Sequence, residues 1–234
     1  MTAAAPPAPA KPSARAAATI DRSPVRLLWY RLVQQVVTQV LSISGGIRAT
    51  GRENVPKAGG AILVCNHLSH LDVFVLGILL KRPLNYVARS TLFKPGLGWF
   101  IRSVGGFPIQ RDGKGSEGFR ETLRRVRAGS IVTFFPEGTR TNDGELAELK
   151  PGIVALASRA GVPVIPASIA GTYEAWPRSR KFPRPHPIRV HYGAPIRPEE
   201  LAGLSADAVT QLIRTRMLES QSMAREGLRG DLGR

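Results

Sequence analysis

The sequence predicts an α/β protein: a mixed, largely parallel central sheet flanked by helices. Three observations carry that prediction. From residue 47 onwards, short β-type runs alternate with helical ones, the pattern of a layered sheet covered by helices. A chain of 234 residues with 43% apolar residues has the length and the hydrophobic content for one substantial core. Clusters of polar, chemistry-bearing residues follow directly on apolar runs, and α/β sheets place functional residues where strands pass into loops.

The elements follow in order. "MTAAAPPAPAKPSARAAATI" is low-complexity Ala/Pro sequence without the continuous apolar core of a signal peptide. Residues 1–24 are expected to be a disordered tail. Residues 25–46 carry "RLLWYRLVQQVVTQVLSISGG", in which Leu28, Trp29, Leu32, Val33, Val36, Val37 and Val40 gather on one side of a helical wheel. Arg31, Gln34, Gln35, Thr38 and Ser42 fall opposite and interrupt the ~20-residue apolar run that a membrane crossing needs. Such a helix either packs on the core of its own domain or lies in the plane of a membrane, with Trp29 at the headgroup level and Arg26 and Arg31 facing anionic lipid; the basic excess of the chain favours the second, so residues 25–46 are expected to be a membrane-associating helix.

Residues 47–234 form the main domain. "AILVC", "NYVA", "GFPIQ", "SIVTFF", "VPVIPASI" and the late "IRVHYG" read as strands. "LDVFVLGILL", "GLGWFIRSV", "GFRETLRRVRA" and "IVALASRA" read as helices, as does the closing "ADAVTQLIRTRMLES" with Ser205 as N-cap. The tail "GLRGDLGR" is expected to fray.

The formal net charge of +16 implies an anionic partner: nucleic acid, a phospholipid surface, an acidic carrier protein or a phosphorylated substrate. No acidic residue occurs between Asp72 and Asp112, while Lys81, Arg82, Arg89, Lys94, Arg102 and Arg111 do. A one-sign belt beside Leu92, Phe93, Leu97, Trp99 and Phe100 suits anionic headgroups. No helix-turn-helix, zinc-finger or RNP signature accompanies these charges, which argues against nucleic acid. A single cysteine, Cys65, excludes an internal disulfide and suits a reducing compartment.

"CNHLSHLD" directly follows the apolar "GGAILV". His67 and Asp72 are five residues apart, which on one helix separates them by about 140°. They meet only if His67 lies in the strand-to-helix loop and Asp72 in the first helical turn. Ser69-x-x-Asp72 reads as a capping box that starts such a helix. Asp72 accepting a hydrogen bond from one ring nitrogen of His67 fixes the tautomer and raises the basicity of the other, as a general base for a hydroxyl requires. His70 offers a metal reading with His67 and Asp72, but no further ligand cluster accompanies it. Cys65 reads more naturally as a small buried hydrophobe than as a nucleophile.

In "FFPEGTRT", Gly138 allows main-chain N–H groups close to a ligand, Thr139 adds a hydroxyl, and Arg140 a planar fork matched to phosphate oxygens. The alternative is a surface turn with a Glu137–Arg140 ion pair. "GGFPIQR" supplies Arg111 at a strand end.

Together these segments resemble the glycerolipid acyltransferase family that includes 1-acylglycerol-3-phosphate (lysophosphatidate) acyltransferases. Asn66 to Asp72, Gly105 to Arg111, Phe135 to Arg140 and Val162 to Pro166 match its four blocks in order, and the likeness spans roughly residues 48–195. "LKPG", Leu149 to Gly152, matches a further segment in part and makes Lys150 a site candidate.

The resemblance implies direct acyl transfer from an acyl carrier protein or coenzyme A thioester to the hydroxyl of a lysophospholipid. His67 would be the base, Asp72 its orienting partner, and Asn66 and Ser69 would support them. Arg111, Glu137, Gly138, Thr139 and Arg140 would surround the acceptor phosphate. It implies no metal or other cofactor, and a peripheral or monotopic place on an anionic membrane, at the cytoplasmic face of the cell membrane. Attack on the thioester needs donors for the developing oxyanion, with the helix start at Ser69 and the turn at Gly138 as options. Another lysolipid, such as lyso-ornithine lipid, is the alternative acceptor, and a non-catalytic basic membrane binder the alternative class.

Overall fold

Ala61–Cys65 is apolar at every position, and every position is fully buried. A strand with no polar alternation needs cover on both faces, which is the setting of a central parallel strand. This run is β2 of a seven-stranded sheet. The computed structural model describes residues 23–109 and 116–233. Of the features expected above, most of the Ala/Pro tail and the site candidate Arg111 lie outside the described residues.

The other strands are β1 (Ile47–Thr50), β3 (Leu84–Arg89), β4 (Gly106–Ile109), β5 (Ile131–Phe134), β6 (Val164–Ala170) and β7 (Ile188–Tyr192). The sheet order is β1-β7-β6-β2-β5-β3-β4. Only β6 and β7 pair antiparallel. Every other neighbouring pair is parallel. The helices are α1 (Pro24–Ile43), α2 (Asp72–Ile78), α3 (Leu97–Ser103), α4 (Ser116–Arg127), α5 (Pro151–Ala160), α6 (Thr172–Ala175), α7 (Pro198–Leu201) and α8 (Ala206–Leu232). The mixed, largely parallel sheet is thus the one the alternating runs predict.

The topology fixes where a site can be. After β2 the chain crosses to β3, past β5; after β5 it crosses to β6, past β2. The two crossovers diverge, so the carboxyl ends of β2 and β5 open onto a crevice of the kind in which α/β proteins bind ligands.

The closing helix departs from expectation. Ser205 caps α8 as predicted, its Oγ accepting from Ala208 N–H at 3.2 Å. The segment expected to fray continues as helix to Leu232. Ala224 and Leu228 are buried in a small cluster with Ala170. Asp231 accepts hydrogen bonds from Arg48 and Arg189, which carry it across the β1–β7 edge.

Helix α1 departs in a more instructive way. The face turned towards the protein is mixed: Tyr30, Gln34 and Leu41 are buried and Val37 packs against the core, while Gln35 and Ser42 stay exposed. Gln34 is buried, and its Nε2 donates to Gly77 O (2.7 Å) and Leu80 O (3.2 Å). Arg31 donates to Leu80 O and Lys81 O. Tyr192, from β7, donates its hydroxyl to Leu76 O at 2.6 Å. The last carbonyls of any helix lack intrahelical partners, and α2 has only seven residues. Gln34 and Tyr192 donate to carbonyls in the last turn of α2.

The opposite side of α1 faces outwards. Val25, Leu28, Leu32, Val36, Val40 and Ile43 are between 52% and 86% exposed, at the three- and four-residue spacing of one helical stripe. Trp29, partly buried, donates its Nε1–H to Ser103 Oγ at 2.9 Å, and its ring lies 6.1 Å from Trp99. Trp99 is the exposed indole, at 67%. Among the described residues no helix is long and apolar enough to cross a membrane. The basic belt is likewise mixed. Lys81, Arg89 and Lys94 are exposed, whereas Arg82 donates to the carbonyls of Pro56, Gly59 and Gly129 and ties loops together.

Gly171 joins β6 to α6 with φ +92°, and a Cβ there would stand 2.1 Å from Pro187 O. Gly171→Ala is therefore both strained and obstructed. The expected cost is about 2 kcal/mol or more, read as a lower urea midpoint at unchanged slope.

Candidate active site

The residue after β2 continues the sheet with its side chain. Asn66 Oδ1 accepts from Ile169 N–H at 2.8 Å, and its Nδ2 donates to Ile169 O at 3.0 Å. The amide thus adds one more rung towards β6. Cys65 Sγ donates to the same Oδ1 at 3.3 Å. The thiol is fully buried, and burial pushes its pKa well above the ordinary value, so it is no nucleophile.

The next residue, His67, is held through its main chain. Its N–H donates to Glu137 Oε1 at 2.7 Å, and its carbonyl accepts from Thr141 N–H at 2.8 Å. Both partners belong to the loop after β5. The two strand ends on either side of the switch point are therefore joined at this histidine.

Asp72 opens α2 and is fully buried. Its Oδ2 accepts from His67 Nδ1 (2.8 Å), Leu68 N–H (2.6 Å) and Ser69 N–H (2.7 Å). Its Oδ1 accepts from Thr172 Oγ1 at 2.7 Å. An ionised carboxylate only accepts, so the proton in this pair lies on Nδ1 and the lone pair of the neutral imidazole is on Nε2. Nε2 has no hydrogen-bond partner among the described residues. The His67 ring stacks on Phe135, with centroids 4.1 Å apart and planes 19° apart, and its side chain is 20% exposed. The ring is thus fixed on one face and at one edge, with its basic nitrogen left for a visitor.

The capping box takes a different form from the one expected. The N-cap position of α2 is Leu71, which makes no side-chain cap. Asp72 reaches back to Ser69 N–H, but Ser69 Oγ accepts from Leu71 N–H (3.2 Å) and donates to Trp176 O (2.8 Å). Ser69 therefore fastens the α6 turn to the histidine loop. The Ser69 N–H is already engaged by Asp72, and the Gly138 N–H donates to Phe135 O at 3.0 Å. Neither amide is left over for an oxyanion.

The loop after β5 separates its residues by environment. Glu137 is buried and makes no ion pair with Arg140. One carboxylate oxygen accepts from His67 N–H, the other from Ala147 N–H at 3.0 Å. Burial raises its pKa, while those two main-chain bonds oppose the rise. Glu137 is thereby a brace for the loops. Gly138 takes φ +73°, and a Cβ there would lie 3.5 Å from Lys150 Cγ, so the exposed Lys150 side chain passes beside the turn. Thr139 is exposed. Arg140 forms no hydrogen bond or ion pair with any described residue, and its Nη1 is buried without a partner. A buried unpaired guanidinium N–H is a donor lacking its acceptor.

Among the described residues no group of three or more His, Cys, Asp or Glu is arranged to hold a metal ion. Sequence reasoning missed Thr172, Phe135 and Trp176. Thr172 stands 100 residues from the carboxylate it serves, and no local signal marks it. Phe135 lies within a recognised block, and an aromatic next to a strand end was the available cue.

An aspartate-bonded histidine thus stands at the crevice, with an arginine lacking a partner in the neighbouring loop. The chain belongs to the acyltransferase family: the profile of the family described as "Acyltransferase" matches residues 46–170. Among its relatives, the 1-acyl-sn-glycerol-3-phosphate acyltransferase of Bacillus subtilis is 26% identical over 82% of this chain and 97% of its own length. The chloroplastic 1-acyl-sn-glycerol-3-phosphate acyltransferase BAT2 of Brassica napus is 31% identical over 74% of this chain, which spans 50% of that longer protein. The crystal structure of the 1-acyl-sn-glycerophosphate (LPA) acyltransferase PlsC from Thermotoga maritima superposes with a TM-score of 0.73 at 25% identity, covering 94% of this chain and 86% of that one.

Glu137→Gln keeps the shape of the brace but replaces one accepting oxygen by a donor, leaving the N–H of His67 or Ala147 unpaired and buried. Stability should fall by about 1–3 kcal/mol in chemical denaturation, with activity falling alongside because His67 loses its main-chain anchor.

Proposed function

We propose that the chain transfers a fatty acyl group from an acyl thioester to the free hydroxyl of 1-acylglycerol-3-phosphate, giving phosphatidate, at an anionic membrane surface. The observation that carries this reading is the 2.8 Å bond between His67 Nδ1 and Asp72, which leaves Nε2 basic and open. Nε2 takes the proton of the acceptor hydroxyl as its oxygen attacks the thioester carbonyl. The carbon–sulfur bond then breaks, and the departing thiolate takes that proton back from the imidazolium. Acyl group and proton are both accounted for without an acyl-enzyme. Asp72 holds the tautomer and stabilises the imidazolium.

Arg140, with its unsatisfied Nη1, is the group we assign to the acceptor phosphate. Gly138 and Thr139 flank it on the same turn, the Lys150 side chain passes beside that turn, and Arg111 is proposed as a further phosphate ligand on the strength of its sequence block. Glu137, Asn66 and Ser69 act as positioning residues, since each bonds to main chain. The donor is a thioester of an acyl carrier protein or of coenzyme A, and the site of action the cytoplasmic face of the cell membrane. The outward stripe of α1 and the exposed Trp99 support an in-plane membrane contact.

His67→Ala should lower acyl transfer to lysophosphatidate by at least ~10²-fold while binding to anionic liposomes persists. Unchanged turnover would remove the histidine from the mechanism. For the membrane contact, Leu28→Asp combined with Val36→Asp alters side chains that point outwards and should preserve the circular dichroism spectrum. Sedimentation with anionic liposomes should then drop; undiminished sedimentation would place the contact elsewhere.

A further inference from the structure

The basic stretch "PRSRKFPRPHP", residues 177–187, joins α6 to β7. No acidic residue occurs between Glu174 and Glu199. Its four prolines remove main-chain donors and fix φ, and the segment forms neither helix nor strand. It is nevertheless pinned. Trp176 Nε1 donates to Arg180 O at 3.0 Å, and Arg184 N–H to Ala175 O at 2.9 Å. The guanidinium groups of Arg180 and Arg184 donate to Glu174 O, at 3.3 and 2.8 Å. Bonds to a neutral carbonyl leave both charges intact. Held in this way, residues 178–185 form an exposed ledge. Arg178, Arg180, Lys181 and Arg184 flank Phe182, which is 68% exposed, with Lys181 Nζ 5.4 Å from its ring centroid.

Both ends of the ledge meet parts of the protein with a place in the proposed reaction. At its start, Trp176 O accepts from Ser69 Oγ at 2.8 Å, in the loop that carries His67. At its end, His186 N–H donates to Ser44 O at 2.8 Å and Ile188 N–H to Gly46 O at 3.0 Å, just past the last turn of α1. A Cβ on Gly45 would stand 2.5 Å from the His186 carbonyl carbon, so the two segments touch along their backbones. Ile43, the last residue of the outward apolar stripe, is 86% exposed beside this junction. β7 runs antiparallel to β6, and β6 parallel to β2. The ledge therefore lies at the carboxyl end of β6, the end of the sheet at which the crevice opens.

A large apolar ring left in water among cations matches the boundary of an anionic bilayer, where the ring meets acyl chains and the cations meet phosphates. An acidic protein would answer the same charges, but the continuity of the ledge with the apolar stripe of α1 favours a bilayer. We propose that residues 177–187 form a second membrane-contacting surface, with Phe182 inserted below the phosphates of an anionic leaflet and the four flanking cations at their level. The inference rests on the membrane reading given above and adds an orientation to it. One helical stripe leaves the protein free to roll about the helix axis. A second contact at the crevice end stops the roll and turns the crevice towards the leaflet from which a lysolipid comes.

The test is the depth of a nitroxide label on the full chain. Cys65 is fully buried, so Phe182→Cys and Leu204→Cys each offer one reactive thiol. Leu204 is 43% exposed and follows Ile196, which bridges Val164 at the opposite end of the sheet. With phosphatidylglycerol vesicles, the label at 182 should lose collisions with a water-soluble nickel chelate and gain collisions with oxygen. The label at 204 should stay open to nickel, as should that at 182 with phosphatidylcholine vesicles. In unlabelled chains, Phe182→Ala should lower partition onto phosphatidylglycerol about 10-fold. Lys181→Gln should lower it about fivefold, a loss that disappears at high salt. A label at 182 equally open to nickel with and without anionic vesicles, in a chain that still sediments with them, would overturn the ledge. So would unchanged partition of both variants with a raised KM for the carrier-protein thioester alone, which would give this surface to the acidic carrier. Failure of the wild-type chain to sediment with anionic vesicles would instead overturn the membrane reading itself, before any variant is compared.

Discussion

The Asp72 carboxylate gathers four donors: two main-chain N–H groups, one imidazole and one threonine hydroxyl. They come from the loop after β2 and from the start of α6, while the carboxylate itself opens α2. A buried anion is costly unless donors surround it, and here the same donors that satisfy it also set the shape of the site. The three bonds on one oxygen curl residues 67–69 around the helix start, which holds His67 in place. The fourth draws α6, and with it Trp176, against that loop. Remove the carboxylate and three segments lose their common point of attachment.

Helix α1 shows how one element can serve two surroundings. Its inward face packs Leu41 and Val37 on the core and sends Gln34 to the carbonyl end of α2, the helix that Asp72 begins, while an apolar stripe faces outwards. On the proposed reading, contact with a membrane and support of the helix that Asp72 opens fall to one element. A truncation that removes α1 disturbs both at once, which is why outward-facing substitutions separate the two roles where deletion does not.

The layered fold was legible because the strands are short apolar runs and the helices between them are amphipathic. The His67–Asp72 contact was legible too, since a five-residue spacing works only across a loop-to-helix junction and Ser69 and Asp72 suggested that junction. Other features escaped because they depend on distant partners. A helical wheel ranks residues by polarity alone and sends Gln34 to solvent, whereas the carbonyls of Gly77 and Leu80 at the end of α2 accept from its amide inside the protein. Glu137 beside Arg140 in sequence suggested an ion pair, yet the nearest unsatisfied donors are the N–H groups of His67 and Ala147. The end of α8 reads as a loose glycine-containing tail until Arg48 and Arg189 are known to stand opposite Asp231.

Cys65 occupies the last position of the strand at the middle of the sheet, with β5 on one side and β6 on the other, one residue before the asparagine that introduces the site. It is the only sulfhydryl in the chain and is fully enclosed. Alkylating reagents can reach it only when the sheet parts at its centre. The molecule thus carries a built-in chemical clock, whose labelling rate reports how often the sheet beneath the crevice comes apart, with no probe to be engineered in.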